Sequence, residues 1–171
     1  MWRNSWVMGV IAAGIWIVLG RSASAEDVTD ASALAKALSE ARITLDQGLK
    51  ASEREGQPIS GEYGLEDGAL QLSIFTMKGD KFTEVIVDHK TGSIKEAEPI
   101  TNADDLKDAK EQAKAMGKAK LSLEEAIRDA VNANSGYRAV SITPMLSGDQ
   151  PEASISLLKG EEIKEVTEKL N

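Results

Sequence analysis

The chain has 171 residues, with 20 basic and 28 acidic side chains and a net charge of −8. Such a surface repels phosphate backbones, so no nucleic-acid partner is expected. There is no cysteine, which excludes a disulfide framework and thiol chemistry.

The first element is a leader. Arg3 precedes an uncharged run from Trp6 to Leu19, and Ala23-Ser24-Ala25 follows with the small-x-small form of a signal-peptidase site. The run is 14 residues long, against the roughly 20 that a spanning helix needs. The expectation is a secretory signal peptide over 1–25, cleaved after Ala25. The product is then periplasmic or secreted, with no stable membrane anchor. The mature chain, 26–171, keeps all 28 acids and 18 bases, a net charge of −10. All three tryptophans are lost with the leader.

The mature chain repeats. When the sequence is laid on itself, Ala35-Lys36-Ala37 falls on Ala113-Lys114-Ala115, and Ile43-Thr44-Leu45-Asp46 falls on Leu121-Ser122-Leu123-Glu124. Further on the offset is slightly larger, and Lys78-Gly79 meets Lys159-Gly160 while Glu84-Val85 meets Glu165-Val166. This divides the chain into a first unit at 26–100 and a second at 101–171. A helical lead-in is expected at Ala31 to Ala41 and again at Asp105 to Ala119. A second helix starts at Thr44 and at Ser122. Gln47 and Glu125 stand three places later, the spacing of a capping box, in which each partner satisfies a free backbone N–H of the other. Leu123, Ala126, Ile127, Ala130 and Val131 form one apolar stripe, which Leu45, Gly48 and Leu49 begin more weakly.

Strands follow in each unit. Tyr63 and Leu65 alternate with Glu62 and Glu66, and Asp67-Gly68 is a two-residue hairpin signal that would set Leu65 against Leu70 and Tyr63 against Leu72. Lys78-Gly79-Asp80 makes the next turn, before a strand at Phe82 to Val87. A turn at Asp88 to Gly92 and a short strand at Ser93 to Glu98 close the first unit before Pro99. The second unit has strands near Tyr137 to Thr143, Ala153 to Leu158 and Glu162 to Leu170, and lacks the closing turn and strand. The fold class expected is α+β, as two tandem repeats, each with helices packed on a small antiparallel β-sheet. The strand at Glu162 to Leu170 is expected either to be covered by the first unit or to bind an extended peptide through its free edge.

Candidate chemistry is sparse. His89 is the only histidine. It occupies a loop tip in Asp88-His89-Lys90-Thr91-Gly92, where Asp and Gly are turn formers, and a stable metal site needs three or four ligands. His89 is therefore read as an exposed, dispensable turn residue. Ser156 and Lys159 spell a Ser-x-x-Lys pair, but on a strand they point to opposite faces. Asp104-Asp105 reads as a helix N-terminus and Glu161-Glu162 as a solvated turn, rather than as calcium ligands. Met77, Met116 and Met145 are scattered and read as packing rather than as copper ligands. The expectation is no catalytic residue, no cofactor and no metal.

Three segments carry a family resemblance: Ile43-Thr44-Leu45-Asp46-Gln47-Gly48-Leu49, the strand pair Leu70 to Thr76 and Phe82 to Val87, and Val87-Asp88-His89-Lys90-Thr91-Gly92-Ser93-Ile94. The second unit matches through Leu121-Ser122-Leu123-Glu124-Glu125-Ala126-Ile127 and Lys159-Gly160-Glu161. The chain resembles tandem PepSY domains, the modules named for propeptides of secreted metallopeptidases. The resemblance implies a helix on a small antiparallel sheet, an envelope setting and a non-catalytic binding role. It also implies a secreted or periplasmic peptidase as partner, while a free sheet edge suits an extended peptide. The other reading is a self-associating envelope scaffold.

Overall fold

The computed structural model describes residues 25–171, with side chains described from Ala31 onward. The leader expected ahead of the cut at Ala25 lies outside the described residues. Among them no helix is long and apolar enough to cross a membrane. The elements run α1 (Ala25–Leu38), α2 (Leu45–Ser52), β1 (Gln57–Glu66), β2 (Ala69–Lys78), β3 (Lys81–Val87) and β4 (Ile94–Pro99). Then come α3 (Ala103–Met116), α4 (Leu123–Ala133), β5 (Arg138–Ser147), β6 (Gln150–Lys159) and β7 (Glu162–Lys169). This is an α+β fold with four helices and one seven-stranded antiparallel sheet among the described residues, in the order β4-β3-β2-β1-β5-β6-β7.

Local chemistry explains most of the elements. Thr44 and Ser122 cap α2 and α4. The Thr44 N–H donates to Gln47 Oε1 at 2.9 Å, and the Ser122 N–H donates to Glu125 Oε2 at 3.0 Å. These bonds satisfy donors that a helix start otherwise leaves free. Leu45, Gly48 and Leu49, and Leu123, Ala126, Ile127 and Ala130, are buried on the inner faces. Asp67 and Gly68 take φ of 49° and 77°, as a two-residue hairpin turn requires. Leu65 pairs with Leu70 and Tyr63 with Leu72, the register the sequence implies.

The two small sheets expected from the repeat are instead one. β1 and β5 lie side by side, with Gly61 opposite Ile142 and Glu62 opposite Ser141. Each would otherwise be a bare edge, and this short pairing joins the two edges at their middle. Across the joint, one row runs Val85, Ile74, Gly61, Ile142, Ile155, Val166. The first five residues of this row carry α2 and α4 or lie in the buried core around them, and Val166 packs at its margin. A Cβ on Gly61 would lie 2.6 Å from Ile74 Cδ1 and 3.2 Å from Leu49 Cδ2. Gly61 thus lets α2 sit directly on the joint.

The helices bridge the halves as well. Arg138 Nη1, on β5, donates to the Leu38 carbonyl at the end of α1 at 3.0 Å. Ser32 Oγ, on α1, donates to Glu161 Oε1 in the β6–β7 turn at 2.7 Å. α3 touches β1 as well as β5 and β6. Contacts of this kind, with a shared core, bind the described residues into one body.

Candidate functional site

The described surface offers no catalytic constellation. Ser156 Oγ is hydrogen-bonded to Ser141 Oγ at 2.7 Å. Lys159 lies at the end of β6 with its Nζ 5.5 Å from the centre of the Tyr137 ring. No group of three or more His, Cys, Asp or Glu side chains with metal-holding geometry is present among the described residues. Asn102 caps α3 by accepting from the Asp104 and Asp105 N–H groups, which places that acid pair at the helix start as read. Glu161 takes its bond from Ser32, and Glu162 lies near Tyr137, whose hydroxyl pKa it raises. Met116 is buried, Met77 half-buried and Met145 exposed, and they form no group.

His89 needs a correction. It is half-buried, not an exposed tip. The segment between α1 and α2 folds over it, and the His89 carbonyl accepts from the Arg42 N–H at 2.8 Å and the Ile43 N–H at 3.3 Å. Its Nδ1 is buried without a hydrogen-bond partner. Burial, helped by the charge of Lys90, lowers the ring's pKa, so the neutral form is favoured. The turn itself is as expected: Asp88 Oδ1 accepts from the Lys90 and Thr91 N–H groups at 2.9 and 2.8 Å.

The second half repeats this contact with a different side chain. The Leu170 carbonyl accepts from the Lys120 N–H at 2.6 Å and the Leu121 N–H at 3.2 Å. Leu170 is fully buried. Hence the main chain, not the imidazole, does the structural task at His89. Replacing His89 with leucine should raise stability by about 1 kcal/mol, because it removes an unpaired buried polar atom. The gain should widen between pH 7 and 5. A histidine with a lowered folded pKa contributes stability at high pH that is lost as pH falls through its unfolded value near 6.5. Thermal unfolding of both forms at the two pH values checks this; a leucine variant less stable than wild type at pH 5 would contradict it.

One polar cluster was not legible in the sequence. Glu62 on β1 and Glu84 on β3 lie on the face away from α2, and Ser73 between them donates to Glu84 Oε1 at 2.5 Å. Desolvation raises the pKa of both, and the charge of Asp105, from α3, adds to it in each case. Asp105 is itself raised by burial and by Asp108 and Asp104. The cluster favours protons over open solvent, but it has no ligand geometry.

The remaining candidate is the sheet's outer edges. β4 is a poor acceptor of another strand. It is short, and it ends in Pro99, which has no N–H. A register shift at Ile86/Val87 irregularises its pairing, and Lys95 reaches Asp88 at 3.3 Å. Short length, proline and bulges blunt an edge, and so do charges, which β7 also carries at Lys164, Glu165, Glu168 and Lys169 as a guard against indiscriminate aggregation.

β7 is different. It pairs with β6 without a break from Glu162 to Lys169. The Leu170 N–H donates to the Pro151 carbonyl at 2.9 Å, which marks this as a hydrogen-bonded pair. Such pairs alternate along an antiparallel ladder. Glu162, Lys164, Val166 and Glu168 therefore turn their backbone groups toward β6. Ile163, Glu165, Thr167 and Lys169 turn theirs outward, where the sheet has no further strand among the described residues. The first half does not cover this edge; it joins the second half at β5 instead. No family model, curated protein or solved structure matches this chain.

Proposed function

We propose that this protein is a non-catalytic, PepSY-like binding module of the cell envelope that takes up an extended peptide segment along β7. A secreted or periplasmic peptidase is the partner class, as the resemblance implies. The observation that carries the reading is the outward row of N–H and C=O groups at Ile163, Glu165, Thr167 and Lys169. Main-chain groups of this kind supply affinity in strand addition, and alternate side chains supply specificity. Ser156 and Lys159 are engaged with Ser141 and Tyr137 rather than with each other, which supports the non-catalytic part.

The same reading holds that the chain is a fused pair of similar units. Hydrogen bonds recur at the offset that sets Lys78-Gly79 on Lys159-Gly160. Ser73 Oγ donates to Glu84, and at the corresponding place Ser154 Oγ donates to Glu165 Oε2 at 3.0 Å. Register shifts fall at Pro58/Ser60 and at Ala139/Ser141, which correspond at the same offset. Gly61 and Ile142, which face each other across the joint, correspond in the same way. On this reading a local two-fold axis through that pair relates the two units.

The test is capture from periplasmic extract with two baits, the wild type and Thr167→Pro. Proline at Thr167 removes an outward N–H and leaves the bonds to β6 in place. The expected result is enrichment of a peptidase on the wild type, inhibition of that peptidase by the pure protein, and loss of both with Thr167→Pro. Equal capture by both baits would overturn the β7 site, and a pure protein that turns over peptide itself would overturn the non-catalytic reading.

A further inference from the structure

The β7 edge is complementary to itself when run antiparallel. Outward-turned residues must pair with outward-turned residues, so only registers that set Ile163, Glu165, Thr167 and Lys169 against one another are open. In one of these, Ile163 opposes Lys169 and Glu165 opposes Thr167. Val166 then meets its own copy on the two-fold axis, and Lys164 lies directly opposite Glu168, twice by symmetry. These are non-hydrogen-bonded positions, where side chains across a ladder approach most closely. Shifting two residues one way sets Glu165 against Glu165 and Glu162 against Glu168. Shifting two the other way sets Val166 against Glu168.

The charges concerned are available. Neither Lys164 nor Glu168 makes an ion pair among the described residues. Lys164 Nζ donates to the neutral Asn134 Oδ1 at 2.6 Å and lies 6.0 Å from the centre of the Tyr137 ring, with no carboxylate partner among the described residues. Val166 is half-buried, with a side left to cover. The fold already contains a joint of this kind, because β1 and β5 meet antiparallel at corresponding positions.

We propose that, without an extended partner, two copies of this chain pair through β7, with Val166 on the two-fold axis and Lys164 facing the partner subunit's Glu168. The dimer closes the acceptor edge, so the extended segment must displace the second copy. The inference rests on β7 being a strand-accepting edge and not on what the extended partner is. An isologous contact of this type closes on itself and stops at two copies, whereas a β4–β7 contact would propagate.

Sedimentation equilibrium of the mature protein tests it. The expected result is a monomer–dimer equilibrium. Lys164→Glu and Glu168→Lys should each weaken it about tenfold, since each turns two attractive cross-strand pairs into two repulsive ones. The double variant, Lys164→Glu with Glu168→Lys, should restore it, which a folding defect would not do. Thr167→Pro should abolish it. A protein that stays monomeric up to about millimolar concentration overturns the inference, as does a dimer indifferent to these changes. Rescue by exchanging Glu165 and Lys169 instead overturns the register. If the wild type is monomeric yet captures a peptidase that Thr167→Pro loses, self-pairing fails and the edge reading stands.

Discussion

Replacing Gly61 with valine is expected to destabilise the whole chain by about 1–3 kcal/mol, and more if α2 lifts from the sheet. The reason is space. The Cβ alone would stand 2.6 Å from Ile74 Cδ1, 3.2 Å from Leu49 Cδ2 and 3.4 Å from Leu45 Cδ1. Ile74 and Leu49 are fully buried and Leu45 nearly so, which leaves them little room to move. Alanine adds the Cβ alone, so it should cost less than valine, although Ile74 Cδ1 and Leu49 Cδ2 must still give way. Because Gly61 lies on the β1–β5 joint, the loss should appear in both halves at once. Thermal unfolding should show one transition with a lower midpoint. Two transitions, of which only one moves, would mean that the halves fold separately.

Leu170→Ala should cost about 2–5 kcal/mol, the range for truncating a fully buried leucine. Leu170 is 0 % exposed, and its carbonyl holds the segment that leads into α4 through the Lys120 and Leu121 N–H groups. Removing the side chain opens a cavity at the point where β7 is tied to the rest of its half. Chemical denaturation measures the loss directly. A cost below about 1 kcal/mol would show that the end of β7 is not packed as described. Paired with His89→Leu, this makes a sharp contrast: the same main-chain contact occurs at both positions, beside a half-buried imidazole at His89 and a fully buried side chain at Leu170.

Several features were legible because they are local. Thr44 with Gln47 and Ser122 with Glu125 name their helix starts, and Asp67-Gly68 names a hairpin with its register. The β5–β6 turn at Gly148-Asp149 escaped, because the strands were placed only as far as Thr143 and from Ala153. They run on through Pro144 to Ser147 and from Gln150. The joint of β1 with β5 has no local signature, since its partners Gly61 and Ile142 lie far apart in the sequence. Its one clue is Gly61, a glycine inside a strand, which signals close approach of another element. The burial of His89 is hidden for the same reason: the Arg42 and Ile43 N–H groups that bond its carbonyl arrive from the segment between α1 and α2, far away in the sequence. Glu62, Glu84 and Asp105 come together only once α3 crosses the finished sheet.

Binding at β7 requires a free outer edge, and residue-resolved amide exchange of the dilute protein tests that edge most directly. The amides of Lys164, Val166, Glu168 and Leu170, bonded to β6, should exchange slowly. Those of Ile163, Glu165, Thr167 and Lys169 should exchange fast when the protein is monomeric and slow once the edge is covered by a second copy or an extended segment. If all eight exchange fast, β7 is not a strand. If all eight are slow in the monomer, the edge is already closed and no partner adds there.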